Sequence, residues 1–185
     1  LDREIADDST LAVLLHGLEH RALDGSITRQ HVSAEFGYAH TAFRRNHPAS
    51  DHMEICAKTN RLIVVDACLY NARELAEACG LASLRDSQTV SIAQVLLAAY
   101  AKWGVHLADR LRGDFAFVIW DPGTREVYAA RDAFGCRPLF LVHRLGEFAF
   151  ASEVQSLVAA GFVELKPNMA ALSDFIVHST HRAFE

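Results

Sequence analysis

The chain has 185 residues, 51% of them hydrophobic, and a formal net charge of −5. That length suits one domain with a sizeable core, and the apolar share excludes a disordered chain. The mild acidic balance and the lack of any Lys/Arg-rich run exclude nucleic acid and an anionic membrane as main partners, and no apolar stretch is long enough to span a bilayer.

Residues 10–21 predict a helix capped by Asp8-Ser9, with Leu11, Leu14, Leu15 and Leu18 on one face. Asp24-Gly25 predicts a turn, 35–43 a strand and 46–51 a loop. Residues 53–57 and 62–66 pair as a hairpin across Lys58-Thr59-Asn60. Helices follow at 71–79, stopped by Gly80, and at 87–103, ended by Gly104. A helical turn at 106–111 leads into a strand in which Phe115, Phe117 and Ile119 alternate with smaller neighbours. Asp121-Pro122-Gly123 turns the chain into a return strand at Val127 and Tyr128, and two more strands follow. Ser152 and Gln155 have capping-box spacing before a short helix ending at Gly161, and 168–177 predict a last helix. The pattern is one α+β domain with mostly antiparallel strands, in which Phe115, Phe117, Ile119, Leu139 and Phe150 are expected to be buried between facing sheets.

Cys56, Cys68, Cys79 and Cys136 never form C-x-x-C, so no zinc site is expected and free thiols in the cytoplasm are the reading. The pairs His16/His20 and His178/His181 have helical spacing, but two ligands alone make a weak metal site. Leu1 is not an initiator Met, so we expect a fragment, a processed product or a chain lacking its start.

Three motifs carry a family signal. Leu111-Arg112-Gly113-Asp114-Phe115-Ala116-Phe117 reads L-x-G-x-F-A-F. The run from Arg131-Asp132 through Gly135 to Arg137-Pro138-Leu139 reads R-D-x-x-G-x-R-P-L, and Phe150-Ala151-Ser152-Glu153 closes the series. In this order and spacing they resemble the glutaminase-type N-terminal domain of the asparagine synthetase family, whose relatives include β-lactam synthetase and lasso-peptide cyclases. The resemblance runs from about His20 to the end of the chain and makes residues 1–185 one glutaminase-like domain. It implies a four-layer α/β/β/α sandwich of the N-terminal-nucleophile hydrolase type.

The resemblance also implies a glutaminase site, and the matching positions here depart from it. The family's nucleophile is an N-terminal Cys with its own α-amine as base; the first residue here is Leu1. The family's Asn-Gly-Glu, whose Asn and Gly stabilise the oxyanion, aligns on Asp66-Ala67-Cys68, ahead of the matching Leu69-Tyr70-Asn71. An ionised Asp accepts hydrogen bonds only, so it repels developing negative charge. The Arg that binds the glutamine carboxylate falls on Ala42. The Asp that grips its amine falls on Ile92, in Ser91-Ile92-Ala93-Gln94. No catalytic residue is therefore expected: Asp66 and Ala67 are vestigial oxyanion positions, and Ala42, Cys68 and Ile92 are vestigial glutamine positions. Cys68 is expected as a buried apolar thiol. Arg131, Asp132 and Arg137 are expected to form a salt-bridge network bracing the turn at Gly135. Ser152 and Glu153 are expected to cap the following helix.

By this resemblance the chain is a degenerate, glutaminase-inactive domain of an ATP-dependent amide-bond-forming enzyme, with a docking role towards an adenylating ligase domain of the same or a companion chain. The sequence holds no S-G-G-x-D-S phosphate loop, so ATP and Mg are expected only in that ligase domain. A homo-oligomer is a further option. The alternatives are a fragment of an active glutamine-hydrolysing asparagine synthetase and a free-standing interaction module of the same fold.

Overall fold

In the computed structural model the described residues are 8–40, 52–81, 90–144 and 146–178. In chain order they form α1 (Asp8–His16), β1 (Ser26–His31), β2 (Ala34–Ala39), β3 (Met53–Ile55), β4 (Leu62–Leu69), α2 (Ala72–Ala78) and α3 (Ile92–Trp103). Then come β5 (Gly113–Asp121), β6 (Glu126–Arg131), β7 (Phe140–Arg144), β8 (Glu147–Ala151), α4 (Val154–Ala159) and α5 (Met169–His178). The strands β3-β4-β5-β6 make one antiparallel sheet, while β1-β2 and β7-β8 are antiparallel hairpins.

Strand periodicity builds the layers. In β4 and β5 the register pairs Ile63 with Ile119 and Val65 with Phe117. These residues and Phe115 turn to one face, where they meet Ala93, Leu96 and Leu97 of α3. The alternate residues Leu62, Val64 and Trp120 turn to the other face and meet Met53 and Phe36, with Phe150 packed beside them. On the far side of the β7-β8 hairpin, Ala149 and Ala151 pack on Leu157 of α4, with Leu14 of α1 alongside. The order is helices, four-stranded sheet, hairpins, helices: the expected four-layer sandwich. Phe115, Phe117 and Ile119 are buried as expected, but against α3 rather than between the sheets, and Leu139 and Phe150 are only half-buried. The face of a strand is fixed by its partners, which periodicity alone does not name.

Glycines permit two close approaches. A Cβ on Gly17 would lie 2.5 Å from Ser156 Oγ, so α1 can reach α4 only through glycine. The predicted 10–21 helix accordingly stops at His16 and resumes as a 3-10 turn at Glu19–Arg21. Gly113, at φ 140, opens β5 where a Cβ would sit 2.2 Å from the Cys68 carbonyl oxygen.

Other boundaries moved for physical reasons. β1 (Ser-Ile-Thr-Arg-Gln-His) is mostly exposed and lacks apolar alternation, so it gave no strand signal; β2 ends at Ala39. The predicted 46–51 loop and Ala42 lie outside the described residues. The α3 helix opens at Ser91 rather than 87, through a full capping box: Ser91 Oγ accepts from the Gln94 N–H (3.1 Å) and Gln94 Oε1 from the Ser91 N–H (3.3 Å). The box predicted at Ser152 and Gln155 does not form. Glu153 is the N-cap of α4 and makes no side-chain cap bond.

Phe117 is 1% exposed at the centre of the helix-side core. Phe117→Ala is expected to cost about 3–5 kcal/mol in denaturant unfolding, and a loss below roughly 1 kcal/mol would place the ring outside that core.

Candidate functional site

The four-stranded sheet and the two hairpins do not close completely. A cleft of about 1680 Å³ opens between them. Asp66 and Ala67 of β4 and Ala116 of β5 lie on its sheet side, Tyr38 of β2 and His52 on its wall, and Arg137 beside them. Tyr38 stacks on His52, ring centroids 4.4 Å apart and planes 9° from parallel. Burial, then the Asp66 carboxylate, push the Tyr38 hydroxyl well above the usual phenol range, with Arg137 and Arg21 opposing.

The central feature is an ion pair. Arg137 Nη1 stands 3.3 Å from Asp66 Oδ1 and 3.5 Å from Oδ2. At the rim, Glu153 draws His20 (3.0 Å) and Arg21 (3.4 Å). This corrects its expected capping role: the carboxylate turns to the His20 ring and the Arg21 guanidinium, 133 and 132 residues away in sequence.

A single carboxylate holds Arg137 in place. Asp132 is buried and accepts backbone N–H groups from Phe115 (3.3 Å), Phe134 (3.1 Å), Cys136 (2.9 Å) and Arg137 (3.1 Å). Burial alone would raise its pKa; the N–H bonds outweigh that and pull it down to about 2. Gly135 supplies the positive φ, 65°, that the turn needs. The expected salt-bridge network is thus replaced by N–H bonds to one Asp. Arg131 instead reaches the Leu139 carbonyl (3.4 Å), and Arg137 leaves the turn for β4.

Other expected positions scatter. Ile92 packs against the helix-side core and is not among the residues lining the cleft. Cys68 is exposed, not buried, because β4 ends beyond the cover of the hairpins. Asn71, which the sequence reading used only as a match, is buried: its side chain donates to the Arg110 carbonyl (2.9 Å) and accepts from the Arg112 N–H (3.1 Å), tying the end of β4 to the entry of β5. Tyr38 and His52 carried no sequence signal, since a lone aromatic and a lone His read as core and surface. Among the described residues no group of three His, Cys, Asp or Glu side chains is placed to hold a metal ion, and no helix is long and apolar enough to cross a membrane.

A model of the glutamine amidotransferase domain matches residues 1–184. The chain belongs to that family. A "Putative asparagine synthetase (glutamine-hydrolyzing)" of Mycobacterium tuberculosis (strain ATCC 25618 / H37Rv) is 31% identical over 185 residues, covering 96% of this chain and 27% of the relative. Asparagine synthetase (glutamine-hydrolyzing) 1 of Bacillus subtilis (strain 168) is 40% identical over 101 residues, 53% of this chain and 15% of that one. The chain therefore spans about a quarter or less of these relatives. In fold it is similar to the glutamine phosphoribosylpyrophosphate amidotransferase from B. subtilis solved with ADP and GMP, at TM-score 0.63 and 19% identity, over 83% of this chain and 41% of that one. In this asparagine-synthetase-type glutamine amidotransferase domain, the R-D-x-x-G-x-R-P-L motif is the Asp132 turn, and its second Arg points into the cleft.

The Asp132 bonds carry a signed pH dependence. Its folded pKa lies below the ordinary 3.8, so its stabilisation is present above that value and is lost as pH falls from about 4 through about 2. The urea midpoint of the wild type is expected to fall over that window more steeply than that of Asp132→Asn. Equal slopes would show that the carboxylate does not hold the turn.

Proposed function

We propose that this domain no longer hydrolyses glutamine and serves as a structural, docking half of an ATP-dependent amide-bond-forming enzyme. The observation that carries this reading is the Asp66–Arg137 ion pair in the cleft. At the position where the family places an oxyanion donor, the chain has an acceptor, already engaged by the adjacent guanidinium. Ile92, at the expected amine-clamp position, packs into the helix-side core, where it offers no charge to an ammonium. Ala42, at the carboxylate-clamp position, adds the same argument from sequence alone. ATP and Mg do not fit the residues of this chain, which holds no S-G-G-x-D-S loop, and their binding is assigned to the ligase region of the enzyme. Peptide macrolactam or β-lactam formation fits such an enzyme, since an internal amine replaces ammonia from glutamine. The full-length protein incubated with glutamine is expected to release no glutamate above a blank. Turnover near ~1 per second, ordinary for enzymes, would instead support the active glutamine-hydrolysing reading that the names of the relatives favour.

The docking role is supported by α5, which leaves Met169, Leu172, Phe175 and Ile176 exposed. A ten-residue helix is marginal without packing, so an apolar face of this kind is best covered by another domain. Such contacts bury roughly 600–1,500 Å². By size exclusion with light scattering, residues 1–185 alone are expected to self-associate, and the full-length protein to hold this face covered. A clean monomer, equally stable with and without the rest of the protein, would point to the free-standing module.

A further inference from the structure

We infer that the cleft is a slot for one apolar β-strand, supplied by a part of the full-length protein outside these 185 residues, and that this strand joins the two hairpins into a single five-stranded sheet. Among the described residues β2 pairs only with β1 and β8 only with β7, so each keeps one open edge. Those edges face each other. Every residue of 33–40 and of 146–152 lines the cleft except for none in either run, whereas no residue of β1 does. Side chains of a strand alternate between its two faces, so an unbroken run of lining residues marks an edge, with backbone N–H and C=O groups turned to the cleft. Open rows of this kind are ready templates for another strand. Phe36 of β2 and Phe150 of β8 meet from the two walls, ring centroids 6.1 Å apart. Walls that close suit one strand, which needs about 9–10 Å between the backbones it bridges.

The layers around the slot state the chemistry of its occupant. Val64, Val118 and Trp120 of the four-stranded sheet line one side, and Leu11, Leu14 and Leu15 of α1 line another. A strand covered on both faces is a continuous apolar run rather than an alternating one. β2 has six residues and β8 five, which sets the length of the run at about five or six. Trp120 adds one polar demand: it is 8% exposed, and its indole Nε1 has no hydrogen-bond partner among the described residues. An acceptor on the incoming segment satisfies it. The chain's own remaining stretches do not fit, since residues 1–7, 41–51, 82–89 and 179–185 all carry charged side chains. The chain spans 27% of the Mycobacterium tuberculosis relative, so most of a protein of that length lies outside it. Binding of this kind is strand addition, in which main-chain bonds hold the segment and the apolar layers select its side chains. The slot is the same whether or not the domain hydrolyses glutamine.

Residue-resolved amide hydrogen exchange on the full-length protein is the test. The expected result is slow exchange at consecutive amides of 34–39 and 147–151, including the alternate ones that point away from β1 and β7. One equally slow apolar segment should appear outside residues 1–185. Deleting that segment should return the alternate amides of β2 and β8 to loop-like exchange together, while β4 and β5 stay protected. Where the deletion unfolds the protein, a single Pro at the centre of the segment should speed exchange in both strands. Alternate amides that exchange like a loop in the intact protein, release in only one of the two strands, or edges that stay slow once the segment is lost or broken would each overturn the proposal. So would slow edges with no slow apolar segment outside residues 1–185, which would assign the slot to a second copy of the chain. Self-association through α5, read by light scattering, is scored separately from these amides.

Discussion

The geometry of the cleft depends on four backbone N–H groups converging on the Asp132 carboxylate. Charge-assisted bonds of this kind are roughly twice as strong as neutral ones. Here they replace the regular ladder where the chain leaves β6, and one of them comes from Phe115 of β5, whose carbonyl accepts the Asp132 N–H in return (2.8 Å). The turn is therefore fastened to the central sheet and not only to itself. Its exit residue, Arg137, has no freedom of backbone direction, and the guanidinium is delivered to β4 at Asp66. A side chain at 132 that could not accept would leave buried N–H groups unpaired, at the cost of desolvation each would then carry.

What was legible in the sequence follows from which interactions are local. The four strands from β5 to β8 and the turns between them were readable because alternation and Gly/Pro punctuation are properties of adjacent residues. The Ser-x-x-Gln spacing shows the limit. Ser91 and Gln94 close a box that was not singled out from the sequence, where the helix was expected to open at 87. At Ser152 the same spacing fails because α4 opens one residue later, at Glu153, whose carboxylate is drawn to His20 and Arg21 across the fold. The end of α1 was illegible for a similar reason, since the demand for glycine at 17 comes from Ser156. Of the site, the chemistry of Asp66 was readable from one aligned position, but its partner was not. Arg137 read as a brace for its own turn, and only the third dimension carries it to β4.

The polar side chains of the cleft also constrain one another. A carboxylate at 66 beneath the hairpins would be poorly solvated without a cation, and a guanidinium at 137 would have little reason to enter the cleft without an anion. Each residue makes the other tolerable. Both are about one-third exposed, 32% for Asp66 and 37% for Arg137, so their attraction adds little to global stability. Their consequence is electrostatic: Tyr38, half-buried beside them, feels Asp66 more strongly than it feels Arg137.

That ordering bears on whether Arg137 could itself take over as an oxyanion donor. A guanidinium in a cleft is a good anion partner in principle. For Arg137 to serve a developing oxyanion, however, it would have to leave Asp66, and the freed carboxylate would then face the new negative charge from the floor of the same cleft. The gain at one anion is offset by the loss at the other, which is the opposite of a donor array that costs no reorganisation at the moment of reaction. Under the glutaminase-inactive reading proposed above, the ion pair would stand at the position aligned with the family's oxyanion donor and hold the neighbouring guanidinium away from that task. Under that same proposal, the exposed apolar residues of α5 would be the part of the domain that a docking role uses.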